Sequence, residues 1–512
     1  MRTAPPERRR GPAMSAPTMG QAPPLGSTVR VLLRHTMEAY SDSPQALGWL
    51  RHHLERFDEP LRVAIAGKVK AGKSTLLNAL VGEEIAPTDA GECTRVVTWY
   101  QDGHVPKVLM YPKAAQPRPL TIHRNRGALA FDLQGTPTDQ VDRLVVDWPS
   151  QNLRSQTLID TPGIASLSGD TSMRAGAFLT PDDAPTPADA VIYLMRHLHA
   201  TDVRFLESFY DQGVAKATPV NTIAVLSRAD EIGVGRLDAL TSARRIARRY
   251  RSDEKIRGLC QTVVAVAGLL AQTGRTMRQD EFAALVALAE LPRADMDGLL
   301  LSVDRFVRGE GVELAHPDTD ARARLIERFG LFGVRLGVTL VRQGINDPTR
   351  VAEELVRRSG LEDLRTVLAT QFTERRDLLK SRSALLAVEM VLQREPRPAA
   401  AALSAEVEKI LAGAHEFVEL RMLSALRAGA VKLPTDAIEE AERLLGGDGG
   451  SAAARLGLDP GIHPEDLRRA ALEAATRWKR RAESPLSSRN TADAARIVVR
   501  SCEGMLASLH RY

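Results

Sequence analysis

Four short stretches hold side chains whose types and spacing suit phosphate and purine chemistry. Gly67-Lys68-Val69-Lys70-Ala71-Gly72-Lys73-Ser74-Thr75 matches the pattern G-x-x-x-x-G-K-[ST], after an apolar run and before a helical one. In such a loop, backbone N–H groups curl around phosphate oxygens and the N-terminus of the following helix adds a positive dipole. Lys73 is placed to reach the β- and γ-phosphates of a nucleotide, and the Ser74 hydroxyl to take a position on Mg2+. Gly67, Val69, Lys70, Ala71, Gly72 and Thr75 complete the predicted cradle. Asp160-Thr161-Pro162-Gly163 ends the apolar run Thr157-Leu158-Ile159, about 90 residues downstream. A carboxylate at Asp160 suits Mg2+ held through water, and the Gly163 amide can approach the γ-phosphate.

Ser227-Arg228-Ala229-Asp230 follows another apolar run, residues 221–226. A carboxylate at Asp230 can accept both the N1–H and the N2 amine of guanine, a pair of donors that adenine lacks. The long stem and cation of Arg228 can lie over the base plane. Val266-Ala267-Gly268 ends a further strand, where a backbone N–H can meet guanine O6. Between the first two motifs, Thr94 is the predicted switch threonine, its hydroxyl on Mg2+ and its carbonyl holding the attacking water. Thr88 competes; Thr94 is preferred because it immediately precedes a strand. Together these residues point to GTP or GDP with Mg2+.

Motifs of this kind need rigid strand ends to carry them. The short apolar run 61–66 reads as a strand, and further strands are predicted over 95–100, 105–111, 144–148, Gln156–Asp160, Ala190–Met195, Thr222–Ser227 and 262–267. Helical stretches between most of them predict a largely parallel, doubly wound α/β sheet with ligand loops at the strand C-termini. Two helical patterns, 29–40 and 44–57, precede the first strand, with Pro44 suited to a first helical turn. After Gly268 the period becomes helical throughout, for example over 361–392, 403–427 and 491–509, with breaks at 394–398, 429–434 and 446–464. An elongated antiparallel bundle is expected there.

Composition sets outer limits. At 512 residues, two or three domains are expected. Hydrophobic content is 44% and aromatic content 4%, which favours helices packed through aliphatic seams. A net charge of +5 permits contact with an anionic surface without requiring it. Cys93, Cys260 and Cys502 are odd in number, far apart and without metal-ligand spacing, as expected of thiols in a reducing compartment. The arginine-bearing N-terminus lacks an apolar core, and no run of 18 uncharged apolar residues occurs, so a cytoplasmic or peripheral protein is expected.

The ordered set 67–80, Thr94-Arg95, Asp160–Gly163 and Ser227–Asp230 resembles a bacterial dynamin-like GTPase. Residues 328–336 and 371–385 are similar to its actinobacterial isoniazid-inducible (Ini-type) branch. The resemblance implies a P-loop GTPase head on an all-α neck and trunk. The chain would divide into a disordered lead (1–26), neck helices (27–58), a head (59–345, motif core 61–271) and a helical bundle (346–512) whose last helix returns to the neck. It also implies GTP hydrolysis coupled to head-to-head association, a paralogous partner, and peripheral attachment to the inner face of the plasma membrane for its remodelling or maintenance. In relatives, charge at the β–γ bridge comes from a monovalent cation or a finger residue, and Lys70 matches the finger position. The guanine motif departs from the family in having Ser227 and Arg228 where Thr or Asn and Lys are common. The break near 396–402, the implied membrane-facing tip, offers Arg394 and Arg397 in place of bulky apolar residues, so contact with an anionic membrane surface would be weak and electrostatic.

Two other readings compete. A ribosome- or nucleic-acid-associated GTPase usually adds a compact basic module with aromatic or glycine-loop signatures, and none is visible, so no nucleic-acid partner is expected. A scaffold with residual turnover fits the altered guanine motif. The motif order makes a direct prediction: Asp230→Asn weakens GTP binding strongly, because an amide cannot accept both guanine donors. Nucleotide competition on the unmodified chain checks it, and ATP competing as well as GTP would refute the guanine reading.

Overall fold

Residues 63–66 alternate β-branched and small side chains with no turn former before Gly67, and the strand they belong to, β1 (Leu61–Gly67), is buried along its whole length. The structure is a computed structural model and describes residues 24–88, 95–125, 128–163, 186–208, 221–233, 236–312, 316–427 and 429–509. The remaining strands are β2 (Thr98–Asp102), β3 (Lys107–Pro112), β4 (Arg118–Leu120), β5 (Ile122–Asn125), β6 (Ala128–Phe131), β7 (Val141–Trp148), β8 (Gln156–Asp160), β9 (Ala190–Met195), β10 (Thr222–Ser227) and β11 (Val263–Val266).

Nine strands form one sheet in the order β11-β10-β9-β1-β8-β2-β7-β3-β4, and β5 and β6 pair separately. From β11 to β8 every pairing is parallel. Beyond β8 the sheet is mixed: β2 runs antiparallel to β8 but parallel to β7, and β3 is antiparallel to both β7 and β4. The α/β head is therefore as expected where the motifs sit and mixed at its far edge. β4 and the β5–β6 pair were not anticipated, because Arg118-Pro119-Leu120 is short and holds a proline that suits only an edge.

Helices α1 (Leu25–Ala39) and α2 (Pro44–Arg56) precede β1, with the Ser43 hydroxyl capping α2 through the Ala46 N–H and Pro44 at its first position. After β1 comes α3 (Lys73–Val81). One apolar cluster runs from Leu76, Leu77 and Leu80 of α3 through Leu32 and Leu33 of α1 to Leu379 and Leu385 of the C-terminal half. Head and neck share a core. The other sheet face is covered by α4 (Ala200–Ser208), α5 (Ala239–Ser252), α6 (Gly268–Arg275), α7 (Gln279–Glu290) and α8 (Thr319–Arg342), through residues such as Leu206, Ala243, Leu270, Leu285 and Phe329. α8 kinks at Gly330 (φ 63°, ψ 172°), backbone that glycine adopts at least cost.

The head continues past residue 345, the expected boundary. Helices α9 (Pro348–Ser359) and α10 (Leu361–Leu368) meet at Gly360, where a Cβ would lie 2.2 Å from the Ala265 carbonyl oxygen, and the Ala267 N–H donates to the Ser359 carbonyl at 2.8 Å. Nor is 361–392 one helix. Residues Ala369–Thr373 form a π turn, and the chain restarts as α11 (Arg376–Arg394). The interruption exposes polar groups that a separate loop satisfies: Gln371 donates to the Gly447 carbonyl at 3.0 Å and Arg375 to the Gly446 carbonyl.

α11 packs on α1, α2 and α12 (Ala400–Gly413), and α12 fills the neck position expected for the last helix. The last helix, α16 (Arg489–Leu509), instead joins α13 (His415–Arg427), α14 (Thr435–Leu444) and α15 (Pro464–Ala482) around Leu426, Leu444, Trp478, Val498 and Cys502. The break at 394–398 is also not a free basic tip. Arg397 donates to the Ala39 carbonyl at 3.1 Å, pairs with Asp42 and lies 4.4 Å over the Tyr40 ring, while Arg394 lies 5.6 Å over Trp49. Tyr40, which caps the end of α1, and Trp49 of α2 have drawn these cations inward. No described helix is long and apolar enough to cross a membrane.

Where neck meets head, polar groups are buried together. Arg56 of α2 pairs with Asp189 at the start of β9, both almost fully buried, and the Arg62 N–H donates to the same carboxylate at 2.9 Å. Lys380 of α11 donates to the carbonyls of Arg56 and Glu59, and Arg376 to those of Phe57 and Glu59 at 3.0 and 2.7 Å. Removing one partner strands a buried charge, which costs about 3–5 kcal/mol. Asp189→Ala is accordingly expected to lower unfolding free energy by about that amount in a denaturant titration, and a loss below about 1 kcal/mol would mean the pair is not what joins α2 to the sheet.

Candidate nucleotide site

The loop between β1 and α3 is shaped by positions few residues tolerate. Gly67 has φ 150°, and a Cβ there would lie 2.6 Å from the Leu194 carbonyl oxygen of β9. Gly72 has φ 91° and caps α3. Lys70 is left-handed with φ 63°, a conformation that is uncommon for a non-glycine residue, and it is exposed at the loop tip. Ala71 is buried beneath it. Lys73 folds back over the loop, its Nζ 3.4 Å from the Gly67 carbonyl and 3.5 Å from that of Lys68.

The second motif meets the first. Register pairs Ile65 of β1 with Asp160 of β8, and the Ser74 hydroxyl donates to Asp160 Oδ2 at 2.6 Å. Asp160 Oδ1 is buried without a partner. Burial pushes the Asp160 carboxyl above its usual range, opposed by Lys73 and by the Ser74 hydrogen bond; burial likewise lowers Lys73, opposed by Asp160. A divalent cation fits this donor set, since it would satisfy the orphaned oxygen and favour the charged carboxylate. The Thr161 hydroxyl donates to the Ile65 carbonyl at 2.9 Å and ties the DTPG turn to β1. Gly163 then passes so close that a Cβ would lie 2.7 Å from Val69 Cγ2 and 2.9 Å from Val69 Cα.

The third and fourth motifs share a cavity of about 130 Å3 with the loop, lined among others by Gly72, Thr75, Ser227, Arg228, Asp230 and Gly268. Ser227 donates to the Met195 carbonyl at 3.2 Å, fixing the end of β10 to β9. Arg228 is left-handed (φ 52°), and its guanidinium is held by Glu231 at 2.5 Å, with Arg196 on the same carboxylate. Burial raises the Asp230 carboxyl, against its own backbone hydrogen bond. Ala267 differs from expectation: its N–H is taken by Ser359 and its side chain is fully buried, while Val266, Gly268 and Leu269 on either side of it line the cavity. Thr94 lies outside the described residues; Thr88 is described and exposed.

Sequence reasoning missed Lys68. Its Nζ pairs with Asp202 of α4 at 3.0 Å, and the buried Asp202 also accepts from the Tyr193 hydroxyl at 2.7 Å and the His199 N–H at 3.0 Å. The visible signal was an acidic residue in the first turn of a helix that follows a strand. Glu231, which orients Arg228, was missed as well.

A model of the dynamin family matches residues 63–228, the span from β1 to the third motif. The fold and site thus define a dynamin-type GTPase head. Over 486 residues the chain is 45% identical to the isoniazid-induced protein IniC of Mycobacterium tuberculosis, in the CDC 1551 and H37Rv strains alike, covering 94% of this chain and 98% of that one. The chain belongs to the bacterial dynamin-like GTPases, in their isoniazid-inducible branch. It is also 22% identical over 349 residues to a bacterial dynamin-like protein of Nostoc punctiforme, covering 62% of this chain and 48% of that one.

The contact between Gly163 and Val69 generates a prediction. An added methyl at 163 must displace Val69 backbone in the phosphate cradle, so Gly163→Ala is expected to weaken nucleotide binding about tenfold or more, roughly 1.4 kcal/mol. Calorimetric titration of both proteins checks it, with the nucleotide-free melting temperature as control.

Proposed function

We propose that this protein binds GTP with Mg2+ and hydrolyses it to GDP and phosphate, and that it couples association of its heads to membrane remodelling or maintenance. The observation that carries the nucleotide half is the convergence, at the C-terminal ends of the parallel strands, of the Ser74–Asp160 pair, the Lys73 loop and the cavity lined by Asp230. In this reading Lys73 neutralises the β- and γ-phosphates, and Ser74, Asp160 and Thr94 hold the metal, Asp160 through water. Mg2+ held there would supply neutralisation of phosphate charge. Asp230 reads guanine, Arg228 covers it, and Gly268 offers its N–H to O6. The membrane half rests on membership of the dynamin family, and in this reading attachment is peripheral, on the cytoplasmic face of the membrane. Heads pair with a second copy or with a paralogous dynamin-like chain.

Lys70 has a specific place in this proposal. Its strained backbone holds an exposed lysine beside the position of the β–γ bridge, and none of the described residues gives it an ion pair. A cation delivered there as heads pair replaces the monovalent ion. Arginine fingers are worth about 10³–10⁵ in rate, and a flexible ammonium gives less.

Turnover measurements test both claims. Lys73→Ala is expected to abolish GTP hydrolysis, and wild-type turnover in that variant would remove the site assignment. Lys70→Ala is expected to keep GTP affinity, to lose about tenfold or more of the turnover seen at high protein concentration, and to become potassium-dependent. Unchanged turnover would return Lys70 to the solvent.

A further inference from the structure

Glu231 lies outside the tetrapeptide that reads guanine, yet it lines the same cavity as Arg228 and Asp230. Its two oxygens are used separately. Oε1 accepts from Arg228 Nη1 at 2.5 Å, and Oε2 accepts from Nη2 of Arg196, the residue that follows β9. The backbone closes the same turn, since the Glu231 N–H donates to the Arg228 carbonyl at 3.0 Å. β9 therefore reaches the guanine loop through two successive residues: the Met195 carbonyl holds Ser227, and the Arg196 side chain holds Glu231.

The side chains of Arg228, Glu231 and Arg196 are 37%, 43% and 50% exposed. Ion pairs in such positions add little to stability. What they fix is direction. A free arginine samples many rotamers, and covering a base with it means stopping that motion. Here the left-handed backbone at Arg228 and the carboxylate three residues on hold the side chain from within the protein. Arginine suits this arrangement better than lysine, because one edge of the guanidinium can meet a carboxylate while its plane stays available to an aromatic ring. Arg196 has a second effect. A glutamate beside Asp230 opposes the charged carboxylate that must accept the guanine donors, and another guanidinium on Glu231 offsets that while keeping it from turning away.

We propose that Glu231, braced by Arg196, is the positioning residue that sets the Arg228 guanidinium over the purine ring. It thereby determines how tightly a guanine nucleotide is held, while the choice of guanine stays with Asp230. The proposal rests on the guanine reading above and adds to it a separation of roles: stacking is governed by the Arg196–Glu231–Arg228 chain, and base identity by the neighbouring carboxylate.

Calorimetric titration of the full chain with GDP, with IDP (which lacks the N2 amine) and with inorganic pyrophosphate tests it. Glu231→Ala is expected to weaken GDP about fivefold or more and IDP by the same factor, leaving the GDP/IDP ratio and the pyrophosphate affinity unchanged. Glu231→Gln, which keeps one acceptor, is expected to lose less, and Arg196→Ala about twofold. Arg228→Ala weakens both nucleotides, and adding Glu231→Ala to it brings no further loss, because the glutamate acts only through that arginine. An equal loss from Glu231→Ala with and without Arg228 would overturn the proposal, as would unchanged GDP affinity in Glu231→Ala. A loss that extends to pyrophosphate, or that alters the GDP/IDP ratio, would overturn it too, by marking a general distortion of the loop. If the unmodified chain binds ADP as tightly as GDP, the guanine reading fails and this proposal with it; if it selects GDP and the cycle does not collapse, only the role of Glu231 is wrong.

Discussion

The buried charge of Asp189 is the constraint from which the arrangement of head and neck follows. A carboxylate that is 1% exposed has to be matched, and its partners come from three directions: the Arg56 guanidinium from α2, the Arg62 N–H from β1, and the Ser383 hydroxyl of α11 at 3.4 Å. None of the three elements can shift far without uncovering it. Asp189 also opens β9, whose far end supplies the Met195 carbonyl to Ser227 and the Leu194 carbonyl against Gly67. The N-terminal ends of the central strands therefore hold the neck, while their C-terminal ends hold the nucleotide loops. A displacement at either end is carried across one strand of six residues.

That geometry explains why the nucleotide half was legible in the sequence. The motif residues sit at strand termini: β1, β8 and β10 are short apolar runs ending in glycine, aspartate and serine, and β11 ends at Val266, two residues before Gly268. Local chemistry there decides local structure, and backbone pairing brings Ile65 opposite Asp160 without any side-chain help. The Ser74–Asp160 contact follows from that register together with the loop that Gly67 and Gly72 turn back from β1 into α3. What sequence could not supply were contacts set by tertiary packing: Ser359 capturing the Ala267 N–H, Asp202 reaching Lys68, and Val69 closing on Gly163.

The helical half was less legible for a physical reason. Periodicity marks an apolar face but not its partner. The run 361–392 keeps helical period across the π turn at Ala369–Thr373, because the turn is stabilised by carbonyls of the 446–447 loop, far away in the chain. The position of α16 was likewise open, since its alanine- and valine-rich face suits either the neck or the bundle that it joins. Arg394 and Arg397 looked available to an anionic surface until Tyr40 and Trp49 were found beneath them.

The two halves of the molecule meet in how each treats its cations. In the head, Lys68 and Arg228 are held by Asp202 and Glu231 with their nitrogens fixed, which leaves Lys73 and Lys70 as the lysines of the loop able to follow phosphate charge. Lys73 is half-buried, so on the proposed reading moving its ammonium from two backbone carbonyls onto phosphate would exchange weak partners for strong ones where water is partly excluded. Lys70 is exposed and gains little until a second surface covers it and excludes water. On the proposed reading, the same loop contains one cation whose effect would depend on nucleotide alone and one whose effect would depend on nucleotide and partner together. A hydrolysis step built on both, as proposed, would be quiet in an isolated head and accelerated in a pair, which is the behaviour required if turnover is to report on assembly.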